Sequence, residues 1–161
     1  MGGEACVSDV FDAAKRSQVM SSIRGRGNRS TELKLAAAFR ERGLSGWRRH
    51  VLLKPRLARA DQETDESQRR VSVRPDFLFR KQRVAVFVDG CFWHGCPLHC
   101  KRPAANAEFW DRKLTGNVRR DERTTRAIEA AGWIALRVWE HELSKPDEVV
   151  ERVMAVVAGA A

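Results

Sequence analysis

The chain has 161 residues, with 30 lysines and arginines against 21 aspartates and glutamates, a formal charge of +9. That length supports one self-sufficient core without disulfide staples, and the surplus positive charge favours a polyanionic partner, nucleic acid ahead of an acidic membrane surface. No apolar run approaches the roughly 20 residues that span a bilayer, and the start MGGEACVSDVFDAAKR lacks an apolar leader core, which argues against a membrane protein and for a cytoplasmic one.

In chain order, residues 9–24 read as a weak helix running into the breaker GRGNRS, so 1–27 is expected to be an N-terminal arm and hinge ahead of a domain over 28–161. Ser30 is placed to cap a helix with Leu33, Leu35, Ala36, Ala37 and Phe39 on its apolar face, ending at Gly43. Glu32 falls in its first turn, where the helix dipole favours an acid. WRRHVLL (47–53) predicts a strand in which His50 reads as a surface or rim residue. The polar stretch 54–73 reads as a long inserted loop outside the core. VRPDFLF and RVAVFVDG predict a hairpin joined at Arg80 to Arg83, its second strand central and buried. A long helix over 107–132 turns Trp110, Leu114, Val118 and Ile128 inward and closes at Gly132, WIALRVW (133–139) reads as another buried strand, and Ser144 with Pro146 opens a last helix with Val149, Val150, Val153, Met154 and Val157 inward. The expected order is α-α-β-β-β-α-β-α, an α/β fold.

The chemistry concentrates in VDGCFWHGCPLHC (88–100), which holds three of the four cysteines. In a reducing compartment such cysteines are metal ligands more often than disulfides. Cys91, Cys96, His99 and Cys100, with His141 as a further donor after the last strand, suit tetrahedral Zn²⁺, and a site filled by four protein ligands is structural; the alternative is a set of small buried hydrophobes. Asp76, entering the hairpin, and Asp89, ending its partner strand, offer hard oxygens of the kind that bind Mg²⁺ in phosphodiester hydrolysis, unless Asp76 belongs to a Pro-Asp turn. His94 is either a proton acceptor beside a metal-bound phosphate or another zinc ligand. Phe92 and Trp93 read as core or as a wedge that enters between base pairs. Lys113, Asn117 and Arg120 share one helix face, which is either a solvated charged face or a DNA contact.

Together, KRSQVM with a downstream TELKL, RPDF, VDGCFWHGCP, the EFW…K…N…D series of 108–121 and GWIALRVWE resemble the very short patch repair (Vsr-type) DNA mismatch endonucleases, from about Asp9 to Leu143. The resemblance implies a restriction-endonuclease-like core, a mixed sheet flanked by helices, with a structural zinc site and an N-terminal arm. It implies a monomeric, Mg²⁺-dependent enzyme that nicks one strand of duplex DNA 5′ to the thymine of a T:G mismatch and works beside other mismatch-repair proteins. Carried over by position, Asp76 is the metal-binding carboxylate, His94 activates water, and Glu32 is a supporting acid. Phe92, Trp93 and Trp110 intercalate, Met20 inserts from the opposite groove, and Lys113 and Asn117 read the mismatched bases. The zinc set is Cys91, Cys96, His99 and His141, with Cys100 as alternative to His99. Asp89 and Val88 depart from the best-known member, leaving Asp89 as a metal ligand or a group that orients His94, and the 54–73 insertion bears on sequence preference.

Overall fold

The computed structural model describes residues 31–55, 71–104 and 106–160. The arm over 1–27 with Met20, the cap residue Ser30 and most of the 54–73 loop lie outside them.

The first described helix, α1 (Glu32–Glu41), buries Glu32, Leu35, Ala36, Ala38 and Phe39. Glu32, Leu35, Ala36 and Phe39 follow i, i+3, i+4, i+7 spacing, so an acid stands on the apolar stripe itself. Leu33 and Ala37, expected on that stripe, are exposed; they lie roughly 110° and 150° around the helix from its centre.

Four strands follow: β1 (Trp47–Arg49), β2 (Phe77–Phe79), β3 (Val84–Asp89) and β4 (Ile134–Trp139). They form one mixed sheet in the order β1-β2-β3-β4, antiparallel between β1 and β2 and between β2 and β3, parallel between β3 and β4. The predicted hairpin is β2-β3. The strand expected over 47–53 stops at Arg49, because His50 takes a left-handed backbone (φ 51) that ends pairing. Leu53 then pairs with Val73 through two backbone hydrogen bonds of 2.8 and 2.9 Å. Both are buried, so the segment expected to lie wholly outside the core is pinned into it at its base.

β3 and β4 are joined by α2 (Ala107–Ala130), a crossover of the length that parallel pairing requires. Gly132 (φ 72) accepts the left-handed turn after it. β4 is an edge strand among those described and buries only Val138, with Ile134 42 % exposed, which corrects its reading as a buried strand: a neighbour covers one side only. A 3₁₀ turn (Glu140–Ser144) leads into α3 (Pro146–Gly159). Ser144 caps no helix; its hydroxyl donates to the His141 carbonyl at 2.8 Å. Val149, Val150 and Val153 are buried, whereas Met154 points outward.

Alternation along β3 divides the interior. Val84 and Val86 pack with Phe39, Phe77, Phe79 and the valines of α3, while Ala85 packs on the opposite face with Leu78, Ile128, Leu53 and Val73. Helices thus cover both faces of the sheet. Because β2 runs antiparallel to β3, Asp76 at its start lies beside the C-terminal end of β3, and Asp89 pairs with Trp139 at the end of β4. The loop carrying 90–100 and the turn carrying His141 therefore leave the sheet at one edge. Among the described residues no helix is long and apolar enough to cross a membrane.

Candidate active site and metal centre

At the start of β2, Asp76 accepts a 2.7 Å hydrogen bond from the Val88 backbone N–H across the hairpin. Burial pushes its carboxyl up to about 7; the Val88 bond and Arg49 act in the opposite direction, and the Glu32 and Asp89 charges add to the rise. Such a carboxylate is short of positive charge. Glu32, on the buried stripe of α1, supplies a second carboxylate, and His50 presents its ring nitrogen 2.9 Å from Glu32 Oε2. Glu32, His50 and Asp76 each offer one ligand atom, all within 4.8 Å of one another. Arg49 also donates to Glu32 Oε2 at 2.6 Å. Two carboxylates in a half-buried pocket suit a hard divalent cation such as Mg²⁺.

His94 belongs to a second, adjacent group. Its Nδ1 lies 2.6 Å from Asp121 Oδ2 and 3.4 Å from Asp89 Oδ1. A carboxylate facing Nδ1 places the ring proton there and leaves Nε2 as the acceptor. Although burial alone raises the Asp121 carboxyl, its bond to His94 and the Arg137 and Arg120 charges hold it below the usual range. Arg137 of β4 binds Asp89 through Nε (2.5 Å) and Nη2 (2.9 Å) and reaches Asp121 Oδ1 at 3.2 Å. Register explains the pair: Phe87 is opposite Arg137, so Asp89 and Arg137 project from the same face of neighbouring strands. Asp89 is thereby engaged by a guanidinium and lies outside the Glu32, His50 and Asp76 group, 3.4 Å from the His94 ring. Asp121 and Arg137 were given no role from sequence, although both stand within the segments that carry the resemblance. Their signal was Asp121 four residues after Asn117, and a lone arginine in an apolar strand.

Cys91, Cys96, His99 and His141 also converge, with all ligand atoms within 4.8 Å. Cys91 Sγ lies 3.2 Å from His141 Nδ1, and Cys96 Sγ lies 3.6 Å from His141 Nδ1 and 3.8 Å from His99 Nδ1. Ordinary Zn–S and Zn–N lengths at a tetrahedral angle put S and N about 3.6 Å apart, so this group could bind zinc. Burial and the neighbouring Cys96 sulfur push the Cys91 thiol up, a cost that a coordinated cation removes. Cys100 turns away, its sulfur facing the Phe92 carbonyl at 3.6 Å. His141 is held by the turn after β4, in which Glu142 accepts from the Trp139 N–H at 2.6 Å and from Arg152 at 2.6 Å. Glu140 accepts from the Cys91 N–H at 3.3 Å, so turn and loop are joined by a hydrogen bond as well as by side-chain donors.

The aromatics form one cluster over the start of α2. Phe92 stands edge-on to Trp93 (5.0 Å) and to Trp110 (5.3 Å), and Phe109 edge-on to Trp110 (5.2 Å). Trp110 is only 6 % exposed, whereas Phe109, given no role from sequence, is 46 % exposed. Phe92 and Trp93 are half-buried and rest on the Trp110 base. Asn117 donates to the Trp93 carbonyl at 2.8 Å, which ties that side chain to the loop. Lys113 and Arg120 are exposed on α2.

The family model described as DNA mismatch endonuclease Vsr matches residues 64–102, the stretch carrying Asp76 through His99. The chain is 48 % identical over 87 residues to the type II nicking enzyme V.NaeI of Lentzea aerocolonigenes, covering 54 % of this chain and 49 % of that protein; the chain thus spans about half the length of that relative. It is 32 % identical over 151 residues to the DNA mismatch endonuclease Vsr of Escherichia coli (strain K12), covering 92 % of this chain and 83 % of that one. It is 28 % identical over 154 residues to the type II nicking enzyme V.NmeAIP of Neisseria meningitidis serogroup A, with 94 % and 95 % covered. With most of both chains aligned to the Escherichia coli protein and the Cys/His loop inside the family model, the chain belongs to the Vsr family of DNA mismatch endonucleases and type II nicking enzymes.

Proposed function

We propose that this protein is a strand-nicking DNA endonuclease with a restriction-endonuclease-like core, which hydrolyses the phosphodiester 5′ to the thymine of a T:G mismatch in a Mg²⁺-dependent reaction. The observation that carries the reading is the His94–Asp121 pair at 2.6 Å, with Asp89 3.4 Å from the same ring and its charge acting on the buried Asp76 carboxyl. Asp76 and Glu32 would hold the cation. When bound, the cation would supply charge neutralisation for phosphodiester hydrolysis. His94 Nε2 accepts the proton of the attacking water, and Asp121 holds the imidazole in the tautomer that can do so. Arg137 fixes Asp89 and Asp121 together, and so sets the ring's position at one remove. The products are a 5′ phosphate and a free 3′ hydroxyl.

Selectivity follows from the loop between β3 and α2. Phe92 and Trp93, braced by Trp110, form a rigid apolar wedge, and a wobble pair unstacks at lower cost than a matched one. Lys113 and Arg120 face the duplex from α2, and Asn117 holds the wedge through the Trp93 carbonyl. Zinc held by Cys91, Cys96, His99 and His141 fixes that loop to the end of β4. Met20, outside the described residues, is assigned to the opposite groove by the resemblance alone. A second reading is favoured by the 48 % identity with V.NaeI: nicking set by a recognised flanking sequence.

End-labelled duplexes carrying T:G, other mispairs or no mispair, incubated with Mg²⁺, test the proposal. The wild type is expected to nick 5′ to the mispaired thymine, with Asp76→Ala and His94→Ala slower by at least about a hundredfold. Equal nicking of matched duplexes transfers the assignment to the sequence-directed reading. Unchanged nicking by Asp76→Ala removes both.

A further inference from the structure

We infer that His50 is a third protein ligand of the catalytic cation, so that the centre is an imidazole with two carboxylates and binds a first-row transition cation such as Mn²⁺ more tightly than the Mg²⁺ that supports nicking. This rests on the nuclease reading above and adds a ligand to its metal centre. The ring nitrogen is 2.9 Å from Glu32 Oε2, and His50, Glu32 and Asp76 place their ligand atoms within 4.8 Å of one another. Atoms each about 2.1–2.3 Å from one ion lie no more than about 4.6 Å apart, and the 2.9 Å between His50 and Glu32 falls well inside that limit.

The backbone makes the same point independently. His50 adopts φ 51, one of three non-glycine residues described with a positive φ, a conformation that β-strand continuation would avoid and that costs of order 1 kcal/mol or more. It interrupts β1 directly after Arg49 and is secured from behind by Arg74, whose guanidinium donates to the His50 carbonyl at 3.4 Å. The effect is to bring the imidazole to the Glu32 carboxylate at the pocket's rim. Arg49, 2.6 Å from Glu32 and 3.2 Å from the His50 ring nitrogen, supplies positive charge where an ion would bring it. An imidazole nitrogen is a poor match for Mg²⁺, which takes oxygen and keeps its waters, and a good one for first-row transition cations.

The test is pulsed electron paramagnetic resonance of Mn²⁺ bound to the zinc-loaded full chain, with calorimetric titration of Mn²⁺ and Mg²⁺. The variants are His50→Asn, which tolerates the left-handed backbone, Asp76→Asn and His94→Gln. Wild type and His94→Gln should show ¹⁴N modulation from a bound nitrogen. His50→Asn should lose it, and its Mn²⁺ affinity should fall about tenfold to a hundredfold while Mg²⁺ affinity moves less than about threefold. Mn²⁺ bound in an Asp76-dependent way without ¹⁴N modulation in the wild type overturns the inference and leaves the nuclease reading standing, as does modulation that survives His50→Asn. Absence of any Asp76-dependent cation binding overturns both.

Discussion

In the proposed mechanism His94 is a base only as good as its orientation, which Asp121 at 2.6 Å would provide. Asp121→Asn is expected to lower the nicking rate constant by about a hundredfold or more, with the substrate KM nearly unchanged; a rise in KM with an unaltered rate constant would place Asp121 in DNA binding instead. Arg137 guards the same group from behind. Asp89 is 3 % exposed, so Arg137→Met strands a buried carboxylate and should cost on the order of 3 kcal/mol in urea unfolding at neutral pH. Asp76 sets a pH dependence of its own. Burial raises its carboxyl from 3.8 to about 7 in the metal-free fold, so between those values the folded state binds more protons than the unfolded one. Its contribution is present below about pH 4 and lost as pH rises through about 7. Metal-free Asp76→Asn should therefore gain stability over the wild type at pH 8 and lose that advantage at pH 4, as read by thermal melts.

The loop between β3 and α2 is short on secondary structure and long on attachments: three potential metal donors that meet His141, the Glu140 bond to Cys91 and the Asn117 bond to Trp93. Gly95 permits its reversal. Its φ is +69, and a Cβ there would sit 3.0 Å from Val118 Cγ2 of α2, so Gly95→Ala strains the loop in conformation and in contact. Removing the cage should loosen the wedge with it. Cys96→Ala, or chelation of the zinc-loaded protein, is expected to lower Tm by about 5–10 °C and to alter tryptophan fluorescence from Trp93 and Trp110. An unchanged emission spectrum after chelation would show that the aromatics hold themselves in place. At this scale the sequence was readable where neighbours decide the outcome. The Phe77–Phe79 and Val84–Asp89 hairpin, the 107–132 helix and the last helix stand where apolar periodicity and terminal glycine or proline put them. It misled at Ile134–Trp139, whose apolar run matches a buried strand but lies at the sheet edge, and at Val73, whose polar surroundings hide a pairing with Leu53.

For the molecule as a whole, a charge of +9 together with the proposed DNA substrate predicts an affinity that depends on salt. The logarithm of the binding constant should fall linearly with the logarithm of salt concentration, and Lys113→Ala should reduce the slope by about 1 if that lysine meets a phosphate; an unchanged slope would assign it to a base edge or to solvent. The sequence by itself determined the donors and the scaffold. A dense Cys/His window, an aromatic pair beside it and strands bounded by aspartates are local patterns, and local patterns survive without coordinates. Tertiary structure decided the partnerships. Glu32, His50 and Asp76 come from a helix, a strand end and a hairpin start, and Asp121 and Arg137 reach His94 and Asp89 from a helix and from the neighbouring strand. Which side chains meet across such distances depends on strand register and on one left-handed residue at position 50, neither of which is expressed in the spacing of residues along the chain, whereas the stripe that turns Glu32 inward is.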